Sequence, residues 1–154
     1  MASPIEALRG VLNASQILPN VISGGQPGPA QLRAFHAAGG RVVVDIRAPM
    51  EPRGFDEAAE ARALGLTYIN IPLGPTPLTD QLMESILSAL RDHAGEPTLF
   101  HCASGNRTGG PLIPLLILDH AMDEEDAVAV ARRAGLRGAE LLHWGVDYAR
   151  RHGG

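Results

Sequence analysis

The chain has 154 residues, 45% hydrophobic and 19% charged, with a formal net charge of −4; this composition excludes a disordered or fibrous chain and suits one domain with one core. All 13 basic residues are arginines, adjacent only at Arg132-Arg133 and Arg150-Arg151, so no basic stripe points to nucleic acid. A single cysteine makes no internal disulfide, the opening residues lack a secretory pattern, and the longest apolar stretch, Pro111 to Leu118, is too short for a bilayer, so a cytoplasmic protein with no membrane partner is expected.

Residues 1–20 read as a lead-in, with Pro4 opening a short helix to about Leu12 and irregular chain after it. The core, 21–154, is expected to complete a single domain. Val21-Ile22-Ser23 reads as a strand that stops at Gly24-Gly25, and Pro29 opens a helix that runs to Ala38 before Gly39-Gly40. Val42 to Ile46 is a β-branched run between turn signals, the pattern of a strand buried on both faces. Two prolines make residues 47–54 a loop. Phe55 to Leu64 is helical by periodicity, and Gly65 ends it.

Thr67 to Ile71 is the next strand, and Pro72 to Leu78 the next loop. Thr79 caps an amphipathic helix in which Leu82, Ile86, Leu87 and Leu90 recur at helical spacing as far as Ala94. Thr98 to Cys102 is the last predicted strand. Helices are then predicted over Thr108 to about His120, Glu124 to Ala134 and Ala139 to Arg151. Strands alternating with helices predict a three-layer α/β sandwich, with a four- to five-stranded, mostly parallel sheet flanked by helices. In such sheets ligands bind beyond the carboxyl ends of the strands, so Asp45, Arg47, residues 72–78 and Cys102 should meet on one rim.

The chemistry concentrates in His101-Cys102-Ala103-Ser104-Gly105-Asn106-Arg107-Thr108. A lone cysteine after an apolar strand is most often a small buried hydrophobe. Here it enters a short loop that opens a helix, where inward peptide N–H groups of residues 103 to 107, the helix N-terminus and Arg107 all favour a thiolate. The same cradle binds a tetrahedral oxyanion: Ala103, Ser104, Gly105 and Asn106 through the backbone, Arg107 through two nitrogens at once. Gly105 supplies backbone freedom, and Thr108 is placed to donate to the sulfur as it leaves. His101 should point to the other side of the strand and orient the loop. The remaining histidines have no ligand-like spacing, so neither metal nor cofactor is expected.

The loop resembles that of the cysteine-dependent phosphatase superfamily, which includes the protein tyrosine and dual-specificity phosphatases. Together with Ile22-Ser23-Gly24-Gly25-Gln26-Pro27 and the strand from Val42 to Arg47, it looks like the bacterial phosphatase-like domain family named for its beta-lactamase-hydrolase-like members, over about residues 20–138. The resemblance implies a dual-specificity-phosphatase-like fold, attack by Cys102 on a phosphorylated substrate (protein or small molecule), a phosphocysteine intermediate, anion binding by the 101–108 loop and Arg107, and no metal.

Two departures stand out. The superfamily loop has five residues between cysteine and arginine, and this one has four. The superfamily's general acid is an aspartate about thirty residues ahead of the cysteine, whereas here that region reads Pro72 to Thr79 with no acid. Asp45 is the substitute chosen for that role, with Glu51 and Asp80 as further candidates, although Asp80 at a helix start is first a dipole partner. The short loop and the segment Val44-Asp45-Ile46-Arg47 with Glu51 also resemble rhodanese-like sulfurtransferases, in which Cys102 would carry a persulfide. A phosphate-binding module without turnover is the third reading. The oligomeric state does not follow from the sequence.

Overall fold

The computed structural model describes residues 2–153. A five-stranded sheet with the order β1-β2-β5-β3-β4 forms its middle layer. The strands are β1 (Ser15–Leu18), β2 (Val21–Gly24), β3 (Val42–Asp45), β4 (Thr67–Asn70) and β5 (Thr98–His101). Only β1 runs antiparallel, and every other neighbour pair is parallel. The three central strands are buried at every position, while β1 and β4, at the two edges, keep partial exposure. This is the expected mostly parallel α/β sandwich.

Alternation along the strands divides the core into two layers. Ile22, Val43 and Leu99 face α1 (Pro4–Ala7), α2 (Pro29–Ala37) and α3 (Glu57–Ala63), where Leu8, Leu32, Phe35 and Ala61 close over them. Val42, Val44, Phe100 and Cys102 face α4 (Asp80–Asp92), α5 (Asn106–Pro114), α6 (Glu124–Arg133) and α7 (Ala139–His152). Trp144 and Tyr148, four residues apart on α7 and so on one face of it, are buried in that layer.

The structure departs from the sequence pattern in two places that shape the site. The lead-in expected to be irregular contributes β1, which folds back on β2 as a hairpin through Pro19 and Asn20. Four residues are too few for alternation to show; pairing creates the strand. The helix predicted from Thr108 to His120 starts at Asn106 and gives way at Leu115–Asp119 to a π-helical turn. Pro114 lacks the N–H that the Gly110 carbonyl would have received, and its ring crowds that carbonyl. The Gly110 carbonyl instead lies against Gly145, where an added Cβ would overlap it, so α5 and α7 cross at close range. No helix among the described residues is long and apolar enough to cross a membrane.

Candidate active site

Strand β5 lies between β2 and β3 and carries the cysteine to the rim. The ladder continues one step past the strand: the Cys102 N–H donates to the Gly24 carbonyl (3.1 Å), and the Ile46 N–H to the His101 carbonyl (3.1 Å). Beyond Cys102 the chain turns at Gly105, whose φ is +92° and whose position leaves no room for a side chain: a Cβ would stand 2.7 Å from the Ala134 carbonyl oxygen. Two outside donors hold the loop carbonyls. The Gln26 N–H reaches Ala103 O (3.1 Å) and the Asn13 side-chain amide reaches Ser104 O (2.7 Å).

With those carbonyls drawn outward, the peptide N–H groups of Ala103, Ser104, Asn106 and Arg107 have no acceptor among the described residues. The Gly105 N–H donates to the Cys102 sulfur at 3.1 Å. Cys102 itself is fully buried. A ring of unspent donors opening a helix around a sulfur is an anion-binding cradle in chemical terms.

Arg107 lies against Cys102 and closes the cradle. Its two terminal nitrogens bind the two Glu51 oxygens at 2.9 Å each, and Nη1 also donates to Leu73 O at 3.2 Å. Glu51 in turn accepts from the Arg47 Nε (3.0 Å) and the Ala48 N–H (2.8 Å). The Arg107 hydrogen bonds outweigh the opposing effect of burial and, with the Ala48 amide and Arg47, hold the Glu51 carboxyl far below the usual carboxylate range. Glu51 is therefore an orienting anion for Arg107 and has no proton to give.

Asp45 does not fit the role of general acid expected of it. Its carboxylate is fully buried and shares the sheet face of His101, opposite the face that carries Cys102. It binds the Arg53 guanidinium (2.7 and 3.1 Å), the Tyr68 hydroxyl (2.5 Å) and the Arg47 N–H (2.8 Å). The alternation of strand β3 dictates this, because Val44 and Ile46 take the cysteine side. Burial, reinforced by the Asp45 hydrogen bond, pushes the Tyr68 phenol well above its ordinary value, so Tyr68 remains a donor to that carboxylate. Asp80, the other aspartate considered, is an exposed partner of Arg151 at 2.6 and 2.8 Å.

Among the loop side chains Thr108 departs from its expected contact with the sulfur, and Asn106 and His101 have partners of their own. Thr108, in the first turn of α5, points back to the Gly105 carbonyl (3.1 Å) and to Ser23 Oγ (2.8 Å), so its hydroxyl braces the loop. The Asn106 side chain accepts from the Arg137 and Gly138 N–H groups (2.7 and 2.9 Å), leaving only its peptide for an anion. His101 is fully buried with its Nδ1 3.0 Å from the Cys102 carbonyl, which supports the loop from behind and excludes side-chain contact with substrate.

Glu57, Gln26 and Asn13 escaped the sequence reading. Glu57 looked like an ordinary acidic residue in a first helical turn, yet it is 1% exposed and bound to His101 at 2.6 Å. A charged residue that follows Asp56 at the start of α3 gave no periodic signal of burial. Asn13 sits in a turn and reaches the loop through one hydrogen bond, and Gln26, in irregular chain after β2, meets Ala103, Glu57 and Arg47 at once.

No protein-family model matches the chain. A beta-lactamase hydrolase-like protein of Xylella fastidiosa is 26% identical over 124 residues, which is 78% of this chain and 28% of the relative. The chain thus spans little more than a quarter of that relative's length. Among solved structures, a Shewanella putrefaciens CN-32 protein described as a phosphatase of the DUF442 group superposes with a TM-score of 0.79 at 20% identity, covering 96% of this chain and 98% of that one. This is the fold of the cysteine-dependent phosphatases. Pseudomonas aeruginosa TpbA, solved in complex with phosphotyrosine, matches with a TM-score of 0.66 at 18% identity over 97% of this chain and 94% of its own. The likeness to beta-lactamase hydrolase-like proteins and to that phosphatase fold agrees with the resemblance of the loop, and the five-stranded sheet is the shared architecture.

Proposed function

We propose that the protein is a cysteine-dependent phosphomonoesterase of the tyrosine and dual-specificity phosphatase type. The observation that carries this reading is the Cys102 sulfur at the floor of a loop with four unspent peptide N–H groups and Arg107 above it. A phosphoryl group seated there would place three oxygens among those donors and its phosphorus in line with the sulfur. The phosphotyrosine bound by TpbA supports the choice of substrate class, and an aryl phosphate suits a site without a proton donor.

In the first step the Cys102 thiolate forms an S–P bond as the ester P–O bond breaks, and the departing oxygen takes its proton from water. In the second step water attacks phosphorus, the S–P bond breaks and inorganic phosphate leaves. Arg107 and the peptide donors carry the charge that develops on the equatorial oxygens in both steps. Cys102 is fully buried while the Arg107 side chain is 22% exposed, so an incoming anion engages the guanidinium before the sulfur. With neither Glu51 nor Asp45 able to protonate the leaving group, poor leaving groups should react roughly 10²–10⁴-fold more slowly than an acid-assisted site would allow.

A sulfurtransferase reading is favoured by one observation: the loop holds four residues between Cys102 and Arg107, a small cradle that suits a persulfide, whose transfer needs no proton donor. Hydrolysis of an aryl phosphate and transfer of sulfur from thiosulfate to cyanide, measured on one preparation with Cys102→Ser as control, separate the two. Phosphate release lost in the variant supports the phosphatase. Sulfur transfer without phosphate release overturns it. Vanadate binding with neither activity would identify a phosphate-binding module.

A further inference from the structure

We propose that Glu57 is a positioning residue: it keeps His101 doubly protonated and so places a fixed positive charge behind Cys102. Nothing in the loop motif names Glu57, which arrives from α3, 44 residues earlier in the chain.

Beside an ionised Glu57 the geometry around the ring leaves one protonation state. Nδ1 lies 3.0 Å from the Cys102 carbonyl oxygen, which can only accept. Nε2 lies 2.6 Å from Glu57 Oε2. The second Glu57 oxygen accepts from the Gln26 side-chain amide at 2.7 Å and stands 3.4 Å from Arg53 Nε, so that carboxylate is surrounded by donors. A neutral ring would turn one lone pair toward an acceptor, whereas an imidazolium satisfies both contacts. The charges agree. His101 and Arg53 balance Asp45 and Glu57 in a cluster whose side chains are almost wholly buried, and a neutral ring would leave that cluster with an uncompensated negative charge.

Groups facing the ring come from every neighbouring element. Glu57 comes from α3 and Asp45 from β3, its Oδ2 at 4.0 Å; behind Asp45 stand Arg53 of the following loop and Tyr68 of β4. The side-chain ligand atoms of Asp45, Glu57 and His101 fall within 4.8 Å of one another, a composition seen at metal centres, but here the Arg53 guanidinium already supplies the cation. Burial works against a charged ring, and the Glu57 hydrogen bond, the charges of Glu57 and Asp45 and the Cys102 carbonyl together outweigh it, so the His101 pKa is raised.

His101 therefore donates to the peptide of the nucleophile from the far face of the strand, while the loop N–H groups hold its sulfur from the near face. The inference rests on the reading of Cys102 as a thiolate nucleophile. Its readout, however, does not require turnover.

Two measurements test it on the folded protein. In the first, ring-nitrogen NMR on histidine-labelled wild type should show both His101 nitrogens still protonated above the ordinary histidine value of 6.5. In the second, the ultraviolet absorbance of the thiolate, taken as the difference from Cys102→Ser, is followed with pH for wild type and Glu57→Gln. At the pH where half of the wild-type thiol is ionised, the variant should hold several-fold less thiolate. A neutral His101 ring in the folded wild type overturns the proposal, as does a folded Glu57→Gln with an unmoved thiolate midpoint. Should Glu57→Gln fail to fold, the wild-type ring signals decide alone. A protein that passes both tests yet hydrolyses no phosphoester would lose the phosphatase reading and keep this one.

Discussion

Glu51 grips both terminal nitrogens of Arg107, at 2.9 Å each, from a position 56 residues earlier in the chain. The guanidinium is thereby fixed in rotation, with its Nε hydrogen and the second Nη2 hydrogen free of these partners. A bidentate pair orients as well as attracts, and this one is anchored again through Arg47 and the Ala48 amide.

Glu51→Gln should therefore lower kcat/KM for an aryl phosphate by about tenfold to a hundredfold, because a loosened guanidinium misplaces the charge that meets the transition state. Steady-state kinetics beside a thermal melt checks this. A rise in activity would show instead that Glu51 competes with substrate for Arg107.

Asp45→Asn should damage stability far more than proton chemistry. The buried carboxylate holds Arg53 and Tyr68, and opening such a pair leaves a charge without its partner at a cost of about 3 kcal/mol or more. Denaturant unfolding should show that loss. The pH–rate profile of whatever folded protein remains should keep its shape, since Asp45 faces away from the substrate side.

Gly105→Ala should abolish the cradle. An L side chain at φ +92° costs roughly 1–2 kcal/mol, and the new Cβ would stand 2.7 Å from the Ala134 carbonyl. Loss of vanadate or phosphate affinity, read by calorimetry, is expected together with loss of turnover.

Stability should fall on both sides of a window. The raised His101 contributes stability that is complete below its ordinary value of 6.5 and is lost as the pH climbs through the raised value. The lowered Glu51 contributes stability that is present above its ordinary value of 4.5 and is lost as the pH falls toward its depressed one. Melting temperatures across pH should thus decline on each side, and Glu51→Gln should flatten the acid limb only.

Much of this protein was legible in its sequence. The β-branched run from Val42, the Thr98 to His101 run and the glycine and proline punctuation specified a parallel sheet with Cys102 at its carboxyl edge, because burial on both faces and turn chemistry are local properties that residue types record. The loop from Cys102 to Arg107 reads as an anion cradle for the same reason: its donors are its own peptides and one side chain five positions after the cysteine.

What the sequence withheld were partnerships across the fold. Asp45 and Glu51 are both acids near the rim, and only the pleat of β3 and the path of the loop after it decide that one is locked on the far face while the other holds Arg107. Glu57 reads as an exposed helix start until α3 is laid over the sheet and brings it to His101. Pairing made β1 from a stretch with no strand pattern. Residue types fix which groups can accept, donate or carry charge, and three-dimensional packing alone fixes which of them meet and which are cut off from water.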